Sequence, residues 1–135
     1  MKTITSWVSL LLLSFFSVAP FAFASDEEYL FDTLERPAYR ASWNAMFKGE
    51  KAVPSWLANY AKTYDGPTVP GKAINIDGVQ YKAHFVCKAH ECGANNFVVL
   101  FAPEGRQAWG VLLTESQRFF GHPDQKMKDA LLNAE

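Results

Sequence analysis

The chemistry-bearing residues of this 135-residue chain converge on one short stretch, Cys87-Lys88-Ala89-His90-Glu91-Cys92. It holds both cysteines of the chain and encloses a histidine flanked by residues of either charge. If the two sulfurs are joined, the chain between them becomes a small loop with His90 near its tip. Closing so short a loop removes roughly 2 kcal/mol of unfolded-state entropy, so fixing a side chain in place is a stronger reason for the bridge than stabilising the fold. If the sulfurs are free, Cys87, His90 and Cys92, with His84 as a fourth donor, are the ligand types of a zinc site. That alternative lacks a second paired cluster and needs thiols that an oxidising compartment consumes. Dithiol oxidoreductases space their cysteines more closely. Nucleophile elbows, metalloprotease helices and glycine-rich phosphate loops are all missing from the sequence, so neither an enzyme nor a cofactor is expected.

The N-terminus decides between joined and free sulfurs. After Lys2 comes the apolar run from Trp7 to Phe16, then helix-breaking Pro20 and the small-x-small triplet Ala22-Phe23-Ala24. Residues 1–24 therefore read as a secretory signal peptide cut after Ala24. The unbroken apolar stretch is shorter than the ~20 residues a membrane span needs, and no cysteine follows it to carry a lipid. A domain over 25–135, free of the membrane after cleavage and exported to a space such as the bacterial periplasm, is the expected product. A Cys87–Cys92 bridge persists in such a compartment.

The exported segment is long enough for one core and too short for two. Loss of Lys2 takes the formal net charge from −1 to about −2, and no basic stripe is visible, so nucleic acid is not an expected partner. Tyr39, Trp43, Met46 and Phe47 recur at helical spacing between Pro37 and Gly49, which start and stop a first helix. A shorter helix beginning at Pro54 carries Trp56, Leu57 and Tyr60. Asp77-Gly78 between Ile74-Asn75-Ile76 and Val79-Gln80-Tyr81 marks a tight hairpin. Its outgoing strand runs to Cys87 with Gln80, Lys82 and His84 on its polar face. The apolar run Phe97 to Phe101 suits a central strand covered on both sides. Pro103-Glu104-Gly105 turns into a strand around Trp109, Val111 and Leu113, Arg118-Phe119-Phe120 pairs with the sheet edge, and Asp124 caps a terminal helix through Met127 and Leu131. The expected architecture is a single α+β domain: an antiparallel sheet of four or five strands, flanked by helices, with the cysteine loop as the tip of a hairpin.

The run Cys-Lys-x-His-x-Cys-Gly at Cys87 to Gly93, with an Asp-Gly hairpin ahead of it and an apolar strand behind, resembles the Ivy family, the bacterial periplasmic inhibitors of vertebrate lysozyme. The resemblance implies a central antiparallel sheet flanked by helices and a Cys87–Cys92 disulfide. It also implies a binding loop of Lys88, Ala89, His90 and Glu91 that enters the cleft of a c-type lysozyme, where His90 meets the catalytic acids. This chain departs from the family loop at two positions: Ala89 stands where proline is usual, and Glu91 where aspartate is usual. Such a loop retargeted to another wall-cleaving enzyme is the companion alternative.

Overall fold

The computed structural model describes residues 27–134; the expected cleavage point after Ala24 lies outside them. Five strands form one antiparallel sheet in the order β1-β2-β3-β4-β5: Lys72–Ile76, Val79–Cys87, Asn96–Phe101, Ala108–Leu113 and Gln117–Phe120. Each strand pairs with its sequence neighbour, as a meander requires. The β1–β2 turn is made by Asp77 and Gly78, both at positive φ, the geometry that matches the twist of a two-residue hairpin. A 3₁₀ turn at Pro103–Gly105 joins β3 to β4.

Helices cover both faces of the sheet. On one face lie α1 (Leu30–Glu35), α2 (Pro37–Phe47), α3 (Ser55–Ala58) and α4 (Tyr60–Thr63). Pro37 occupies the first turn of α2, as its sequence position predicts. Tyr39, Trp43 and Met46 come round to the sheet at helical spacing and pack with Phe97, Val99 and Phe101 of β3. The Trp43 and Phe97 rings meet edge to face at 5.6 Å. On the other face α5 (Gln125–Leu132) sets Met127 and Leu131 against Ala83, Val98, Leu100 and Val111. Asp124 caps α5 by accepting from the Met127 N–H at 2.9 Å. The alternate residues of β3 thus serve two cores, which accounts for its continuous apolar run.

Two features differ from the sequence reading. The first is α1, a two-turn helix in a segment with no helical start signal of its own. The second is His84. Alternation along β2 put it on a polar face, yet that face lies beneath α1, and His84 is only 2% exposed. Its Nε2 shares a 2.8 Å hydrogen bond with Thr33 Oγ1 on α1. Burial, helped by the positive charges of Lys82 and Arg36, pushes its pKa down to about 4. The ring is therefore neutral in the folded protein.

His84 gives the fold an acid sensitivity of defined sign. Between its ordinary pKa of 6.5 and its folded value of about 4, the unfolded chain binds a proton that the folded chain does not, so stability is complete above the window and declines as pH falls through it. The loss reaches about 3 kcal/mol at the acid end. Urea unfolding across this pH range should show that decline in the wild type and a markedly shallower one in His84→Gln. Equal slopes in the two proteins would remove His84 as its source.

Candidate functional site

The Cys87–Cys92 stretch is the connection between β2 and β3, projecting from one end of the sheet. The pairing of Cys87 with Asn96 closes the ladder, and the Lys88 N–H donates to the Asn95 carbonyl at 3.0 Å just beyond it. Cys87 and Cys92 are joined in a disulfide with their Cα atoms 4.9 Å apart. Cys87 is buried, so the covalent link ties the loop to the core.

Within the ring, the Glu91 N–H donates to the Lys88 carbonyl at 3.0 Å, which makes residues 88–91 a β-turn. His90, at its third position, has φ +66° while Ala89 keeps a negative φ; this combination is that of a type II turn. Glycine or asparagine is the usual occupant of that third position, and a histidine there sits in a backbone region that non-glycine residues seldom visit. Such conformations cost of order 1 kcal/mol or more and persist where the surroundings determine them. Here the determinants are on both sides. The Glu91 carbonyl accepts from the N–H groups of Ala94 and Asn95, each at 3.1 Å, and the Glu91 carboxylate pairs with Lys88 across the turn. His90 itself is exposed at the apex.

The outer edge of β2 completes the support. Pairing with β1 ends at Ala83, and from there residues 66–70 take over as a strap. The Cys87 N–H donates to the Pro67 carbonyl at 3.0 Å, Thr68 bridges to Val86, and the Thr68 hydroxyl donates to the Phe85 carbonyl. Gly66, with φ +142°, lets the strap come this close: a Cβ there would lie 2.5 Å from the Cys87 carbonyl oxygen. By residue type Asp65-Gly66-Pro67 is a chain breaker, and nothing in it points to a strand edge.

The structure therefore brings Cys87, Lys88, Ala89, His90, Glu91 and Cys92 together and leaves the other histidines out. His84 belongs to the core under α1, and His122 lies just before α5, at a turn with φ +55°. The zinc alternative loses its two sulfur ligands to the disulfide, and among the described residues no three His, Cys, Asp or Glu side chains gather as a metal site. Trp43 is core, while Trp56 and Trp109 are partly buried against it.

Fold and loop define a small α+β domain that displays one rigid, disulfide-closed turn at the end of its sheet. Residues 38–132, which include that turn, match the family model described as Inhibitor of vertebrate lysozyme (Ivy). The chain is 32% identical over 124 residues to the inhibitor of vertebrate lysozyme of Pseudomonas aeruginosa, covering 81% of this chain and 78% of that protein. An uncharacterized Yersinia pestis protein is 32% identical over 87 residues, covering 64% of this chain and 54% of the relative. The inhibitor of vertebrate lysozyme of Escherichia coli K12 is 23% identical over 101 residues, with 75% and 60% covered. This chain belongs to the Ivy family.

Two outcomes test the reading of the loop as a locally built, rigid device. The double substitution Cys87→Ala with Cys92→Ala should keep a cooperative fold at a cost of roughly 2 kcal/mol while hydrogen exchange at residues 88–92 accelerates; protection unchanged in the loop would show that the bridge does not rigidify it. Ala89→Pro should be accommodated, because proline suits the second position of a type II turn, and should raise stability by about 0.5 kcal/mol through a stiffer unfolded chain. A melting temperature below that of the wild type would contradict the turn assignment.

Proposed function

We propose that this protein is an exported inhibitor of c-type lysozyme that acts by occupying the enzyme's cleft with the 88–91 turn. Residues 1–24 serve as the export signal in this reading, and 25–135 as the inhibitor domain acting in the periplasm. Membership of the Ivy family and the inhibitor names of the Pseudomonas and Escherichia relatives support the target. Consistent with a mature protein free of the membrane, no helix among the described residues is long and apolar enough to cross one. The observation that carries the mechanism is His90 exposed at the apex of a disulfide-closed turn, with its backbone at positive φ.

A histidine suits such a cleft for a chemical reason. Lysozyme works with two carboxyl groups of split pKa, one protonated and one ionised. An imidazole lying between them donates from one ring nitrogen to the ionised group. Its other nitrogen accepts from the protonated acid, or donates when the ring is charged. Because the disulfide, the turn and the strap hold the backbone in advance, little ordering cost is incurred on binding. Nothing is catalysed; the turn displaces the sugar chain. Glu91, turned onto Lys88 rather than onto His90, keeps the imidazole free for the partner.

The test separates the imidazole from the backbone that carries it. His90→Asn retains a residue that tolerates positive φ, so the turn and the melting temperature should be preserved. Inhibition of cell-wall lysis by c-type lysozyme should weaken more than tenfold, as expected when a central anchor worth about 2 kcal/mol is removed. Undiminished inhibition by this variant would rule out His90 as the anchor. Parallel assays with g-type and bacterial wall-cleaving enzymes would reveal a retargeted loop.

A further inference from the structure

The 88–91 turn is too small to hold a partner by itself. A stable protein complex buries about 800 Å² on each side, drawn from roughly 20–30 residues, and a four-residue turn supplies a fraction of that. A partner that encloses His90 must also rest on the surface beside the loop. That surface contains a mostly apolar groove of about 420 Å³, whose walls include Val69 and Pro70 of the strap, Phe85 of β2, Cys92 of the disulfide, Asn96 and Ala134.

Two observations mark this groove as a contact surface rather than a packing gap. Val69 is 53% exposed, the most exposed of the large apolar side chains described, while its strap neighbours are hydrogen-bonded to β2 and hold it in place. A solvent-facing aliphatic group held rigidly next to a recognition loop is a preformed contact. The disulfide is also shared: Cys92 closes the loop on one side and walls the groove on the other, so the two surfaces are continuous.

Building on the inhibitor reading above, we infer that this groove is a second docking area for the same lysozyme molecule. It receives an apolar side chain from the rim of the cleft, packed against Val69, Pro70 and Phe85. The turn supplies the block at the catalytic acids, and the groove supplies area and orientation. Discrimination among lysozymes therefore falls on Val69 and its surroundings, because rim residues are freer to vary than the catalytic carboxyls.

Binding kinetics of the full secreted protein on immobilised c-type lysozyme test this, using wild type, Val69→Asp, Val69→Ala, His90→Asn and, as a control, Val79→Asp. Val79 is also exposed but lies at the far end of β2, next to the Asp77-Gly78 turn. Val69→Asp should weaken binding about tenfold or more, chiefly by faster dissociation, and Val69→Ala by a few-fold, with Val79→Asp unchanged. Unfolding midpoints recorded alongside identify any variant that fails to fold, and Val69→Ala then decides alone. Wild-type affinity in both Val69 variants, with binding lost in His90→Asn, overturns the groove and leaves the loop reading intact. Absence of binding by the wild type overturns both.

Discussion

The pairing of β2 with β3 is the constraint on which the rest of this molecule depends. It contains β3, the central strand of the sheet, it contributes to the cores on both faces, and the connection between its two strands is the candidate site. Whatever fixes this pair fixes the loop, because the last ladder position, Cys87 opposite Asn96, is also where the disulfide ring begins. A strand buried on both faces cannot slip its register without moving every side chain to the wrong side. The loop therefore inherits its orientation from the most strongly specified part of the fold.

Only one edge of β2 beyond Ala83 needs further cover, and the strap at 66–70 provides it. Without that segment, the N–H of Cys87 would face solvent at the base of the loop and the edge would be open to other strands. Covering it locally also carries Val69 and Pro70 to the flank of the disulfide. One short connection thus closes the sheet edge, braces the loop and creates an apolar surface beside it. The same economy appears inside the ring, where the Lys88–Glu91 ion pair spans the turn that His90 crowns. Exposed pairs of this kind contribute little to global stability; here the pair ties Glu91 to Lys88 beneath the exposed His90.

Much of this was legible in the residues. Asp77-Gly78, the apolar run of β3, Pro37 before α2 and Asp124 before α5 each carry a local signal strong enough to fix an element. The loop was legible through its cysteines and its likeness to a known family. What escaped was whatever depends on distant chain. α1 is six residues long, has a tyrosine rather than a serine or aspartate at its N-cap, and is stabilised by burying Leu30 and Leu34 rather than by propensity. His84 alternates correctly with its neighbours, but only the presence of α1 above it decides that its face is dry. The strap has no hydrophobic pattern, since its contacts to β2 are made by backbone groups and one hydroxyl. The left-handed conformation of His90 is similarly hidden, because no glycine or asparagine announces it.

The hydrogen bonding of the loop bears on how portable the device is. Of the backbone bonds that shape residues 87–92, only the one from Glu91 to Lys88 lies wholly within the disulfide ring; the others run to Pro67, Ala94 and Asn95. A cyclic hexapeptide cut from the protein would keep the covalent closure and the histidine but lose the scaffolding that holds that histidine at positive φ. It would be a flexible ligand that must be ordered as it binds. The structural unit is therefore not the ring but the ring with its strap and the residues leading into β3, and a peptide that reproduces this turn has to include all three.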